Sequence, residues 1–142
     1  HYPCMIVKNV VPAGERSYLM AVNGSNVSKR GFDILMRVVN PRDTVRLVYF
    51  AHSYNHEIHT AEEKDAIQAY YTKELREVGP VDSEFKIVEY AANTDLSHSI
   101  VEYVNESTAD VFAIAPRASR NPSSITEDIL NNVLITVLLC KN

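Results

Sequence analysis

Cysteine, glycine and tryptophan are scarce in this chain. It has 142 residues, with two cysteines, four glycines and no tryptophan. Cys4 and Cys140 are too few for a disulfide scaffold and lack the spacing of a metal site, so we expect a reducing, cytoplasmic compartment. No apolar run approaches the ~20 residues that a membrane helix needs, so we expect no association with a membrane.

Positive charge is scarce as well. Lysine and arginine number 14 against 18 aspartates and glutamates, which gives a net charge of −4. A general nucleic-acid binder needs a clustered positive face, as does a binder of anionic membranes, so the composition argues against both. An apolar share of 46% and a charged share of 23% are typical of one globular domain.

Strand-like and helical patterns alternate along most of the chain. The strand-like runs lie at residues 17–23, 44–52, 84–90, 109–115 and 133–140. Between them, apolar residues recur at the ~3.6-residue period of helices. This order predicts one doubly wound α/β domain over residues 17–142, with a five-stranded parallel sheet and helices on both faces. Residues 1–16 lie outside the pattern, and the segment 4–11 predicts either an added strand or an ordered arm.

The turn after the first strand carries small polar residues, "NGSNVS" at 23–28. Such a turn faces the crevice in which doubly wound sheets bind ligands, so Asn23, Gly24 and Ser25 are candidate ligand contacts. The plain alternative is a turn followed by a helix N-cap at Ser25 or Ser28. The segment matches neither of the two glycine-rich phosphate motifs, and the neutral Asn23 does not suit a magnesium-dependent phosphoacceptor site.

Three histidines follow the second strand. His52, His56 and His59 are spaced by four and three residues, and three imidazoles can ligate zinc. No helix aligns them, so we expect solvated histidines and no metal site, with a metal-dependent activity as a less favoured alternative. No nucleophile, base and orienting acid can be assembled from the sequence, so we predict no catalytic residues.

The loop before the last helix, "FAIAPRASRNPSS" at 112–124, contains no glycine. Strand-to-helix loops in α/β proteins hold phosphate on free backbone N–H groups, and glycine lets the backbone approach the anion. Because this loop has no glycine, we expect backbone strain in the loop and too little space for a phosphate. Arg117, Ser123 and Ser124 are still able to hold a simple anion, as is Arg120.

From Ser17 to Cys140 the chain resembles the universal stress protein family. "MAVNGSNVS" is similar to the family's first strand and turn, V-x-V-D-G-S-x-x-S, and "VRLVYFAH" to its second strand. "IVEYVNESTADVFAIA" and "SSITEDILNNVLITVLL" are similar to the two last helix–strand units. The resemblance implies strand order 3-2-1-4-5 and a homodimer through the last strand. The expected interface residues are Val133, Ile135, Val137 and Leu139.

ATP-binding members of that family carry G-x-x-G, nine residues and then G-[ST] before the last helix. The glycine positions here hold Ala115, Ala118 and Ser123, and only four residues, Ser119–Pro122, lie where the family has nine. The nucleotide-facing aspartate corresponds to Asn23, and the residue that contacts adenine corresponds to Ser53.

The resemblance therefore implies a non-catalytic homodimeric regulator without a bound cofactor, acting on an unknown protein partner. Its residual nucleotide or anion pocket would comprise Asn23, Gly24, Ser25, Ser53, Arg117, Ser123 and Ser124. The alternative is an ATP- or AMP-binding switch, or a slow ATPase, that uses the remodelled loop and the same residues.

Overall fold

Helices cover both faces of a single sheet. The structure is a computed structural model that describes residues 4–8, 14–52, 61–91, 93–116 and 124–141. The strands are β1 (Cys4–Ile6), β2 (Ser17–Ala21), β3 (Thr44–His52), β4 (Ser83–Tyr90), β5 (Val111–Ile114) and β6 (Thr136–Leu139). The helices are α1 (Asn26–Val38), α2 (Ala61–Val78), α3 (Leu96–Glu106) and α4 (Ser124–Asn132).

The sheet has six strands in the order β1-β6-β5-β2-β3-β4, so the prediction of a five-stranded, wholly parallel sheet is wrong. The strands β2 to β6 pair in parallel, whereas β1 pairs antiparallel with β6, with Cys4 opposite Leu139 and Ile6 opposite Val137. An apolar edge strand leaves backbone N–H and C=O groups unpaired. The segment 4–6 satisfies those groups of β6, and it is the added strand that the sequence left open.

Lys8 fixes the end of this added strand. Its ammonium donates hydrogen bonds to the carbonyl oxygens of Leu130 and Val133, at the C-terminal end of α4, and its backbone N–H donates to Thr136 Oγ1 at 3.3 Å. A cation is favourable there because the last carbonyls of a helix carry partial negative charge. Partial burial lowers the pKa of Lys8. The arm is therefore anchored by backbone pairing and by a charged cap.

The residues predicted for a dimer interface lie inside the fold. Val133, Val137 and Leu139 are buried in the layer between the sheet and α3/α4, and Ile135 is half-buried against it. The edge of β6 is paired with β1 of the same chain. A direct pairing of two β6 edges thus needs β1 to leave.

Each face of the sheet has its own apolar core. Tyr18 and Met20 of β2 face α1 and α2, whereas Leu19 between them faces α3 and α4. Burial on both faces explains the continuous apolar runs of the central strands. Because β2 leads through α1 to β3 on one side and β5 leads through α4 to β6 on the other, a crevice opens at the carboxyl ends of β2 and β5.

Within the described residues, no helix combines the length and the apolar character needed to cross a membrane.

Candidate functional site

A cavity of ≈ 440 Å³ occupies the crevice at the carboxyl ends of β2 and β5. Apolar side chains form most of its walls, among them Val22, Phe50, Leu96, Ile100 and Ile114. The polar residues of the lining are Asn23, Ser25, Ser28, Tyr49 and Thr126. No charged residue belongs to the lining contributed by the described part of the chain.

A closed ring of hydrogen bonds fixes the turn between β2 and α1. The backbone N–H of Asn23 donates to Ser28 Oγ at 2.9 Å, and the Tyr71 hydroxyl donates to the carbonyl oxygen of Asn23 at 2.8 Å. Ser28 Oγ lies 2.8 Å from Tyr71 Oη. Because the single proton of Tyr71 points to Asn23, the Ser28 hydroxyl is the donor in this third bond. Each member of the ring therefore donates once and accepts once.

Tyr71 contributes to this hydrogen-bonded ring from the interior of the protein. Its side chain is fully buried, and its ring contacts Phe32 edge-on and stacks on Phe85, with ring centroids 5.7 and 6.0 Å away. Burial raises the pKa of Tyr71 to about 12, and the hydrogen bond with Ser28 offsets part of that rise. The hydroxyl thus keeps its proton at neutral pH and can act as the donor to Asn23.

Two further side-chain oxygens of the turn accept hydrogen bonds from its backbone. Asn23 Oδ1 accepts from the backbone N–H of Ser25 at 2.9 Å, and Ser25 Oγ accepts from the N–H of Ser28 at 3.2 Å as the N-cap of α1. Where the family's ATP binders have an acceptor carboxylate for the ligand, this chain has an amide oxygen committed to its own backbone. The side-chain oxygens of Asn23, Ser25 and Ser28 therefore all accept hydrogen bonds from the backbone of this turn.

The predicted site residues divide into three groups. Asn23 and Ser25 line the crevice, whereas Gly24 lines a neighbouring cleft between α1 and α2. Ser124 begins α4, whose next residues, Ile125 and Thr126, also line the crevice. The predicted residues Ser53, Arg117 and Ser123 lie outside the described residues.

Ala115 corrects the expectation of strain at the first glycine position. No described residue other than glycine has a positive φ, so Ala115 has an ordinary backbone conformation. The Cβ of Ala115 packs against α1 at Gly31. If Gly31 had a Cβ, that atom would lie 2.3 Å from the Cβ of Ala115. The methyl group of Ala115 is therefore accommodated by a glycine on α1.

The structure describes one of the three candidate zinc ligands. The imidazole of His52 contacts the ring of Tyr90 edge-on, with centroids 5.1 Å apart. His56 and His59 lie outside the described residues. Among the residues that are described, no group of three or more histidine, cysteine or acidic side chains is placed to hold a metal ion.

Sequence reasoning missed the part that Tyr71 plays in the site. The helical spacing of apolar residues in α2 predicts that Tyr70 and Tyr71 both belong to the core; Tyr71 is buried, whereas Tyr70 is half-buried. However, the bond from Tyr71 to Asn23 joins residues 48 positions apart, and no local signal in the sequence predicts that contact.

No protein-family model matches this chain, and no curated protein sequence does. Solved structures do match. A universal stress protein family member from Burkholderia pseudomallei is 15% identical, with 87% of this chain and 94% of that chain covered and a TM-score of 0.68. The universal stress protein from Archaeoglobus fulgidus is 17% identical, with coverages of 86% and 90% and a TM-score of 0.69. A family protein from Arabidopsis thaliana with AMP bound is 15% identical, with coverages of 89% and 92% and a TM-score of 0.65.

At these identities the likeness concerns the fold. This chain has the fold of the universal stress proteins over nearly its full length, and the resemblance seen in the sequence is confirmed at that level.

Proposed function

We propose that this chain is a non-catalytic regulatory protein of the universal stress type whose nucleotide crevice no longer binds ATP. One observation carries the proposal: the described lining of the crevice contains no charged side chain, and Asn23 Oδ1, which takes the place of the nucleotide-facing carboxylate, accepts a hydrogen bond from the backbone of its own turn. The triphosphate of ATP carries several negative charges and is usually bound with Mg²⁺, which requires oxygen ligands and converging donors.

The expected loss of affinity is large. Hydrogen bonds to a charged acceptor contribute about 1.5–3 kcal/mol each. Losing two or three of them removes about 3–9 kcal/mol, which weakens binding by roughly two to six orders of magnitude. A micromolar Kd weakened about a thousandfold becomes about 1 mM, so the site would be at most about half occupied at about 1 mM ATP.

The rival function is a switch that binds AMP or ATP in a remodelled pocket. Its supporting observation is that the cavity persists, at ≈ 440 Å³, between the N-terminal ends of α1 and α4. Helix N-termini favour anions, and a monophosphate demands fewer donors than a triphosphate. A structural neighbour from Arabidopsis thaliana has AMP bound.

Thermal-shift measurements on the full chain separate the two functions. A ligand that binds only the native state raises the apparent stability in proportion to the logarithm of its concentration over Kd. We expect no shift with ATP, AMP or divalent metals at about 1 mM, a concentration that would saturate a micromolar site. A dose-dependent shift with AMP that disappears in Ser124→Ala would establish the rival function.

Self-association, the protein partner and a cytoplasmic location stay predictions of this proposal. Two copies can join their sheets at β6 only when β1 leaves that edge, so association and detachment of the arm are linked.

A further inference from the structure

A second cavity, distinct from the crevice, lies between α1 and α2. Its volume is ≈ 340 Å³, which falls within the ~300–1,000 Å³ of small-molecule sites. Among the described residues, Tyr49, Tyr70, Tyr71 and Ile67 form its walls, and Lys29 and Glu63 are the charged members of the lining. We call this cavity the tyrosine cleft.

The cleft exists because one face of α2 is left incompletely covered. The residues Glu63, Ala66, Ile67, Tyr70 and Tyr71 recur at helical spacing and face the cavity together. Of these, only Tyr71 is fully buried, and Ile67 and Tyr70 are half-buried. On the opposite face of the sheet, α3 and α4 pack closely against each other, whereas α1 and α2 meet at Phe32 and Tyr71 and leave the cavity beside that contact.

The walls have the geometry that aromatic ligands use. The rings of Tyr70 and Tyr71 meet at 86° with centroids 4.9 Å apart and so form a corner. Tyr49, which is 5% exposed, belongs to β3 and lines the cleft from the sheet. Because Tyr71 is fully buried, a planar ring entering the cleft meets Tyr70 and Tyr49, and face and edge contacts between aromatic rings are both favoured.

Lys29 supplies a positive charge at the cleft. Its Nζ lies 4.4 Å from the centroid of the Tyr70 ring, so a cation–π contact holds the ammonium beside the aromatic corner. Glu63 also lines the cleft and opposes an anion there. A ligand carboxylate paired with Lys29 would thus place its ring against the tyrosines.

We propose that the tyrosine cleft binds a small aromatic carboxylate, with its ring against Tyr49 and Tyr70 and its carboxylate paired with Lys29. Tyr49 lines both cavities, but Lys29 and Glu63 line the tyrosine cleft and not the crevice, so this proposal does not rest on the proposed function.

Calorimetry on the full chain with three probes of similar shape tests the proposal. Indole-3-acetate carries the carboxylate, indole lacks it, and tryptamine carries an ammonium. We expect saturable binding of indole-3-acetate with a Kd of about 1 mM or tighter, an affinity that a ligand of this size can reach. Indole should bind more weakly, and tryptamine more weakly than indole. Equal affinity for the three probes, or no saturable binding of indole-3-acetate, would overturn the proposal.

Charge variants test the part assigned to Lys29. Lys29→Gln should weaken indole-3-acetate about three- to fivefold, the range of a partly exposed ion pair, and leave indole unchanged. Glu63→Gln should strengthen indole-3-acetate. The matched control is Lys73→Gln, at an exposed position of α2 outside the cleft. An equal loss in Lys29→Gln and Lys73→Gln would contradict the assignment.

Filling the cleft tests its location. Ala66 and Ala69 are both exposed on α2, but only Ala66 lines the cleft. Ala66→Trp should abolish binding of indole-3-acetate, and Ala69→Trp should leave it unchanged. Binding that survives in Ala66→Trp would place the ligand elsewhere and overturn the proposal.

Discussion

Gly31 of α1 and Ala115 at the end of β5 fit each other as a pair. A Cβ added to Gly31 would lie 2.3 Å from Ala115 Cβ and 3.2 Å from Met20 Cε. The helix reaches this close to the strand because Gly31 has no side chain. The alanine at the family's glycine position is thus compensated on the neighbouring helix, and it occupies a relaxed backbone conformation.

Exchanging the methyl group between the two positions tests this fit. Gly31→Ala should lower the free energy of unfolding by about 1–2 kcal/mol, since overpacking costs ~1–3 kcal/mol and helix propensity returns up to ~1 kcal/mol. Ala115→Gly should also destabilise, by about 1 kcal/mol. The double variant should be more stable than the sum of the two single effects predicts. Strict additivity in urea unfolding would contradict the pairing.

Tyr71→Phe tests the hydrogen-bonded ring at the β2–α1 turn. Without the hydroxyl, the carbonyl oxygen of Asn23 and the proton of Ser28 lose their partner in a buried place. We expect a loss of about 1–3 kcal/mol in urea unfolding. Tyr70→Phe is the control, because Tyr70 is half-buried on the same helix and takes no part in the ring; it should change stability by less than ~0.5 kcal/mol. Equal effects of Tyr71→Phe and Tyr70→Phe would show that the hydrogen-bonded ring does not contribute to the free energy of unfolding.

Stability should fall at alkaline pH. Burial raises the pKa of Cys140 from 9.0 to about 12 and that of Tyr71 from 10.0 to about 12. The unfolded chain therefore loses these protons first as the pH rises. The stability present below pH 9 is lost between pH 9 and pH 12.

Cys140→Val separates the two groups in this pH profile. The decline should then begin near pH 10, where Tyr71 and the other tyrosines whose pKa burial raises, Tyr49, Tyr70 and Tyr90, contribute. Cys4→Ser, at an exposed position, should leave the onset near pH 9. An onset that is the same in Cys140→Val and in the unaltered chain would contradict the assignment. The measurement is urea unfolding at closely spaced pH values.

Lys8→Glu tests the link between the arm and self-association. The substitution replaces a favourable cation at the carboxyl end of α4 with an anion, so β1 should detach and expose the edge of β6. Light scattering at about 50 µM, where a weak interface already assembles, should show tighter association than in the unaltered chain. Lys141→Glu, at an exposed position after β6, is the control. A Lys8→Glu variant that stays monomeric would exclude β6 as a dimer surface.

Much of the fold could be predicted because its signals are local. The periods of the apolar residues locate the strands from β2 to β6, and the small polar residues predict N-caps at Ser25 or Ser28 and at Thr94 or Asp95; the structure has them at Ser25 and Asp95. Alternation over residues 84–90 predicts an edge or half-exposed strand, and β4 lies at an edge of the sheet. The pairing of β1 with β6 was left open, since a three-residue strand has too few side chains to show a period.

The site could be predicted only in part. Asn23 and Ser25 follow from their place after a central strand, and both line the crevice. The hydrogen bond from the Tyr71 hydroxyl to the Asn23 carbonyl oxygen depends on how α2 packs over β2. The contact between Gly31 and Ala115 depends likewise on how closely α1 approaches β5. Such contacts depend on the assembled fold, and no spacing within one segment predicts them.

Calorimetric titration of ATP with Mg²⁺ into the purified full chain tests the central claim most directly. Because the described lining of the crevice is uncharged and Asn23 Oδ1 is bonded within its own turn, we expect no saturable heat below about 1 mM and no ATP carried through purification. The control is the same titration on Ser124→Ala. A micromolar dissociation constant that is lost in Ser124→Ala would show that the remodelled loop still binds ATP, and would contradict the proposal that the crevice has lost its nucleotide.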